Sequence, residues 1–214
     1  MLDAGTGRGD ISLHCARLNS AWRVDAIDIQ EERVEHCRDV VRALGLGNIH
    51  LERRDLLDLN SSAEYDLITN TDVLEHIQDD LRALSNMACA LKPGGHLLLT
   101  FPADPSRRHL RLLRWIERRR GSARGVAGHV REGYGPGGIR RMLNQVGVKT
   151  ESVKYTYGFF GTLAHDLFFV IGDSEVNPLV FAVALPFLLT LTFLELHTPT
   201  RKGSALLVVA RKPK

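Results

Sequence analysis

The chain has 214 residues, 44% of them hydrophobic and 25% charged, with three cysteines and a formal net charge of +3. That length makes one domain of ordinary size and is too short for two, and the composition excludes disorder and collagen-like repeats. Cys15, Cys37 and Cys89 are widely spaced with no CxxC pair, which argues against a disulfide framework or a thiolate zinc site and points to a reducing cytoplasm. The opening residues are Gly- and Asp-rich rather than basic then apolar, so no signal peptide is expected.

The two halves differ in charge. Residues 1–100 carry ten Lys and Arg against seventeen Asp and Glu, while residues 101–214 carry eighteen against eight. An acidic first half and a basic second half suggest an anionic partner for the second.

In chain order, the first hundred residues alternate short apolar runs with helical patterns, as expected of a parallel sheet with crossover helices. Trp22–Ile29 reads as a strand and Glu31–Leu44 as a helix with Val34, Cys37, Val41 and Leu44 on one face. Ile49–Arg53 and Asp66–Asn70 read as strands, and Leu81–Leu91 as a helix that Pro93-Gly94-Gly95 stops. His96–Phe101 is then a buried strand closed by Pro102. A helix is expected over Arg107–Arg119 with a glycine-rich exit at 121–125, another over Gly138–Gln145, and strands over Val148–Tyr157 and Ala205–Ala210. No internal repeat is visible.

The most informative motif is Asp3-Ala4-Gly5-Thr6-Gly7-Arg8-Gly9. Its glycines permit a tight strand-to-helix turn and close approach of a ligand to the backbone. The spacing is GxGxG, not the GxGxxG of dinucleotide binders, and the acid before it suits a ligand carrying an ammonium group. At the end of the next strand Asp28 is placed to accept hydrogen bonds from ribose hydroxyls.

Together, Leu2–Gly9, Asp28-Ile29, Asp55-Leu56, Tyr65–Ile68, Asp72–Ile77 and Leu91–Leu99 resemble class I S-adenosylmethionine-dependent methyltransferases. The Val73-Leu74-Glu75-His76-Ile77 and Leu91-Lys92-Pro93-Gly94-Gly95 runs are most similar to the quinone-biosynthesis and small-molecule O-methyltransferase branch. The resemblance implies a single α/β domain with a doubly wound, Rossmann-like seven-stranded sheet, an insert after the fifth strand and a helical insert before the last. Residues 1–102 would form the cofactor-binding half and 103–214 the acceptor side. The cofactor would be S-adenosyl-L-methionine, leaving as S-adenosylhomocysteine. Asp3, Gly5, Thr6 and Gly7 would meet its methionine end, Asp28 its ribose, Ile29, Asp55 and Leu56 its adenine, and Asn70 and Thr71 its sulfonium. Ile29 and Leu56 also read as simple core residues. Because Met1 stands two residues from Asp3, only a stub of the first strand is expected, either in a truncated reading of a longer protein or with another segment capping the site.

Methyl transfer to a hydroxyl gains from a base, and His76, His129 and His165 are candidates, with Glu75 beside the first. The assigned catalytic set is Glu75, His76 and His129. Asp72, Glu75 and His76 share one helical face, and some relatives bind a divalent ion with a similar array and a distant His; Asp in the first position weakens that match, and no metal is assigned. His129, Arg131 and Tyr134 read either as an acceptor-binding loop or as a surface loop.

Two segments break the globular pattern. Nine arginines between Asp104 and Arg131, interleaved with leucines and Trp115, suggest a basic amphipathic helix for an anionic acceptor or membrane surface. Nucleic acid fits less well, since one Trp accompanies them and no RNA-binding module is visible; a solvated charged face is the bland alternative. The uncharged stretch Val176–Leu194 is expected to pack on the sheet or to roof an apolar pocket, ahead of membrane contact or a true span. The sequence thus reads as a cytoplasmic methyltransferase acting on an oxygen of a small or lipid-like acceptor, with peripheral contact at the inner membrane face left open. A nucleotide-dependent oxidoreductase and a non-catalytic cofactor-binding domain are the alternatives.

Overall fold

The structure, a computed structural model, describes residues 1–104, 129–171 and 178–214. Seven strands form one sheet in the order β3-β2-β1-β4-β5-β7-β6. These are β1 (Leu2–Ala4), β2 (Val24–Asp28), β3 (Ile49–Arg53), β4 (Tyr65–Thr71), β5 (Leu91–Pro102), β6 (Lys149–Thr156) and β7 (Ala205–Arg211). The first five pair in parallel, whereas β7 runs antiparallel to both β5 and β6. Among the described residues the helices are α1 (Asp10–Leu18), α2 (Glu31–Leu44), α3 (Asp80–Ala90), α4 (Pro136–Gln145), α5 (Phe159–Ile171) and α6 (Pro178–His197).

The local reasons are those the sequence offers. In α2, Val34 and Cys37 are buried against Ala26 and Leu51, and Gly45 ends the helix in the left-handed conformation. In α3, Asp79 accepts the Arg82 N–H as cap, and Ala83, Leu84 and Met87 enter the main core beside Leu97, Leu99 and Phe101. A doubly wound sheet gathers strand ends and loops along one edge, where ligands of such folds bind.

Three expectations change. Strand β2 starts at Val24, because Trp22 is spent in a turn that closes on the Asn19 carbonyl. Strand β5 starts at Leu91, since Leu91 pairs with Tyr65 and His96 with Leu67, so the Pro93-Gly94-Gly95 run bulges inside the strand. The helix expected over Arg107–Arg119 and its glycine-rich exit lie outside the described residues.

The third change concerns the apolar stretch. It does form a helix, α6, but α6 packs along α5 rather than covering the sheet. Its half-buried or buried positions are Phe181, Ala184, Leu188, Leu191 and Glu195, a seam of alternating three- and four-residue steps. Such a seam suits one neighbouring helix, and among the described residues the other faces of α6 stay uncovered: Val183 is 82% exposed and Leu179 78%.

Candidate active site

The loop after β1 is built from inside. The N–H groups of Gly5 and Thr6 both donate to the Ile27 carbonyl at 2.8 Å, tying the loop to β2. Gly5 has φ +89°, and a Cβ there would lie 2.4 Å from Val73 Cγ2, so both conformation and space call for glycine. Beneath the loop Asp3, 2% exposed, accepts hydrogen bonds from the Thr6 and Thr69 hydroxyls, each at 2.8 Å. Burial raises its carboxyl pKa while these hydroxyls oppose the rise. Asp3 and Thr6 therefore brace the loop from below, and Thr69 and Ser12, which shares the Thr6 hydroxyl at 2.6 Å, complete the brace. Neither of these last two carries a signal that sequence reading could have used.

Asp28 ends β2 and faces the loop. One carboxylate oxygen accepts the Gly7 N–H and the other the Gln30 N–H, both at 2.9 Å, with the Arg33 guanidinium 3.8 Å away. Ile29 beside it is 57% exposed, so it is no core residue, whereas Leu56 at 5% is part of the core. Asp55 caps the 3-10 turn Leu56–Asp58 by accepting the Leu57 N–H at 2.9 Å. Near the end of β4, the Asn70 amide donates to the Ala4 carbonyl at 2.6 Å, and its Oδ1 is buried without a partner among the described residues. Thr71 follows, half-buried, and Asp72 takes a left-handed φ of +52° as the chain leaves the strand, a conformation that non-glycine residues rarely hold outside constrained sites.

The 3-10 turn Leu74–His76 carries the proposed acid–base groups. Glu75 is fully buried, and neither carboxylate oxygen has a hydrogen-bond partner among the described residues. Burial, helped by Asp72, pushes its pKa up to about 7. His76 meets His129 edge to face with ring centroids 4.5 Å apart, and Glu75, His76 and His129 offer ligating atoms within 4.8 Å of one another. One carboxylate and two imidazoles are a set that can also hold a divalent cation; Asp72 is not part of this group. Burial and then His76 lower the His129 pKa.

A clamp holds His129 there. The Val130 N–H donates to the Glu75 carbonyl at 3.0 Å. Arg131 donates to the Leu74 and Gln78 carbonyls, to Asp80 at 2.5 Å and to the Tyr134 hydroxyl, which itself donates to Asp80 at 2.7 Å. Of the three loop residues considered for acceptor binding, Arg131 and Tyr134 are thus engaged in fixing the loop. Burial and Asp80 raise the Tyr134 hydroxyl pKa further from the neutral range. His165 on α5 sets its ring against Tyr157 at 6.1 Å and, after His76, opposes the burial that raises the Asp72 pKa. Two surface clefts, one bounded by Trp22, Asn48 and His50 and one by Arg82, Asn86 and Gln145, share no residue with this site.

The strand order with its antiparallel β7, the glycine loop and the acid ending β2 define the class I S-adenosylmethionine-dependent methyltransferase architecture. Residues 1–95 match the methyltransferase domain family, and S-adenosylmethionine is the cofactor that this domain implies. The residues present fit it. Gly7 leaves its outer side open, the nearest atom to the position a Cβ would take being an Arg33 guanidinium nitrogen at 4.0 Å. Asp28 keeps lone pairs beyond its two backbone bonds, and Ile29 offers an exposed apolar face. Over 102 residues the chain is 33% identical to the ubiquinone/menaquinone biosynthesis C-methyltransferase UbiE of Vibrio vulnificus, covering 46% of this chain and 39% of that protein. Over 101 residues it is 31% identical to the ubiquinone biosynthesis O-methyltransferase of Coxiella burnetii, covering 47% and 42%. The aligned part thus spans about two fifths of the length of these relatives. Among solved structures, the cyclase SpnF superposes with a TM-score of 0.67 at 20% identity, covering 99% of this chain and 73% of that one, a likeness of fold alone.

Proposed function

We propose that the chain transfers a methyl group from S-adenosylmethionine to an oxygen of a small or lipid-like acceptor, in the cytoplasm and in contact with the inner membrane face. The observation that carries this reading is the convergence of Glu75, His76 and His129 just beyond β4, next to Asn70 and Thr71. Bound S-adenosylmethionine supplies an electrophilic methyl on a sulfonium whose departure needs no protein acid. The chain's own task is alignment, exclusion of water and removal of a proton from the acceptor. Asp28 and Gly7 would hold the ribose side, with Ile29 and Asp55 toward the adenine; Asp3, Thr6, Gly5, Leu56 and Asn70 would shape the floor. An imidazole nitrogen of His129, kept neutral by its lowered pKa, takes the acceptor's hydroxyl proton as the oxygen gains the methyl. Glu75 and His76 position that ring.

The two relatives support a quinone-like phenolic acceptor, one being an O- and the other a C-methyltransferase by name. A dinucleotide-dependent oxidoreductase fits less well: the loop is GxGxG, and β7 is inserted antiparallel between β5 and β6 where dinucleotide folds continue in parallel. A thermal-shift panel with S-adenosylhomocysteine and NADH, followed by mass spectrometry of a polyprenyl catechol incubated with methyl-labelled cofactor, tests the reading. Stabilisation by S-adenosylhomocysteine alone and label on the catechol oxygen are expected. Stabilisation by NADH alone, or by neither ligand, would count against it.

A further inference from the structure

Helix α6 is apolar on every open side. It runs 20 residues with no Asp, Glu, Lys or Arg other than Glu195, and its most apolar 18-residue window has mean hydropathy 2.2 and is only 6% buried. Soluble chains rarely expose apolar surface on this scale. A helix that is hydrophobic all round belongs in a protein interior or a bilayer, and among the described residues no interior encloses this one. At 1.5 Å per residue its length is about 30 Å, near the thickness of a bilayer's hydrocarbon core.

The polar groups of α6 are arranged for an anhydrous setting. The Thr190 hydroxyl donates to the Pro186 carbonyl at 2.8 Å, and that of Thr192 to the Leu188 carbonyl at 2.9 Å. Both hydroxyls are thus spent on carbonyls one turn earlier in the same helix, which matters where no water is present. Glu195, at the end nearest the sheet, has its carboxylate taken by the Gly158 and Gly161 N–H groups and the Thr200 hydroxyl. That contact pins the base of the α5–α6 hairpin to the domain. Just beyond the base, Arg201 and Lys202 are exposed and form no ion pair among the described residues, which suits anionic headgroups at the depth where the helix would emerge.

We propose that α6, packed on α5 along its Phe181–Leu191 seam, seats in the hydrocarbon of a lipid bilayer, with Arg201 and Lys202 among anionic headgroups. A second copy of the chain explains the surface less well, because one partner covers one face and leaves another, marked by Val183 and Phe187 or by Leu189 and Leu196, still in water. The proposal supplies the membrane contact in the functional reading above but does not depend on methyl transfer, since it concerns residues outside the cofactor site.

Flotation of the full chain with phosphatidylcholine vesicles, with and without phosphatidylglycerol, tests it. The wild type is expected to float with both, and more completely with the anionic vesicles. The variant Val183→Asp/Phe187→Asp/Leu189→Asp should lose at least tenfold in vesicle-bound fraction, and Arg201→Ser/Lys202→Ser should lose only the advantage of anionic vesicles. Because the three aspartates replace exposed side chains, an unchanged S-adenosylhomocysteine thermal shift would show an intact domain; should that ligand give no shift, the circular dichroism melt serves instead. Failure of the wild type to float with either vesicle overturns the proposal. So does sedimentation showing a vesicle-independent dimer that the three aspartates abolish.

Discussion

The imidazoles of His76 and His129 meet edge to face at 4.5 Å, brought together from either side of the Arg131 clamp. Burial and then the neighbouring His76 lower the His129 pKa. The pair thereby keeps a neutral imidazole available near pH 7, which a base needs.

Replacing His129 with Ala should lower the rate of methyl transfer about 100-fold, within the range typical of a lost general base, with cofactor affinity unchanged. Since the His129 pKa lies below its ordinary 6.5, the rate should rise with pH along a limb centred below 6.5 and stay flat above it. A limb near 7 that disappears in Glu75→Gln would instead make Glu75 the base.

Glu75 should also leave a mark on stability. Its pKa is about 7 in the fold against an ordinary 4.5, so the folded state holds its proton more tightly than the unfolded chain. Stability from this group is complete below about 4.5 and is lost as pH rises through 7, by about 3 kcal/mol in all. Urea unfolding of the wild type and Glu75→Gln at pH 5 and pH 8 should show the variant gaining about 2–3 kcal/mol on the wild type between the two. A pH-independent difference would mean that the carboxyl is not held neutral.

Asp28 accepts backbone hydrogen bonds and faces the open side of Gly7. Asp28→Ala should weaken S-adenosylhomocysteine binding by about 1.5–3 kcal/mol, as for losing hydrogen bonds to a charged acceptor. Titration calorimetry giving an unchanged Kd, with the circular dichroism spectrum intact, would remove Asp28 from the ribose site.

Arg131→Ala should unfold at lower denaturant, by about 2–3 kcal/mol, since it strips several hydrogen bonds and unpairs the part-buried Asp80. It should also lower kcat while the KM for S-adenosylmethionine holds. If the arginine acts by placing His129, adding His129→Ala should cause no further loss; additive losses would separate the two.

Much of the sheet was legible because its signals are local: α2 shows its buried face at Val34 and Cys37, and Gly45 marks its end. Pro93-Gly94-Gly95 misled because a turn signal does not say which strand its neighbours pair with, and Leu91 found Tyr65. In the site, Glu75, His76 and His129 could be named from residue type and from the family's pattern. The tasks of Arg131 and Tyr134 could not, since they are set by Asp80 and by two carbonyls distant in the chain. The uncovered state of α6 was hidden for a different reason. Residue by residue, an apolar helix reads alike in a core and in a bilayer, and only the neighbours decide.

Strand β1 is three residues long, and β4 grips it through side chains, Thr69 on Asp3 and Asn70 on the Ala4 carbonyl. The same strand then runs on into the turn bearing Glu75 and His76. The glycine loop and that turn are consequently mounted on one rail, and the span between donor and acceptor is set by β4 rather than by any flexible link. Changes at Thr69 or Asn70 would therefore surface as faulty aim, with a slower transfer step even where both ligands still bind.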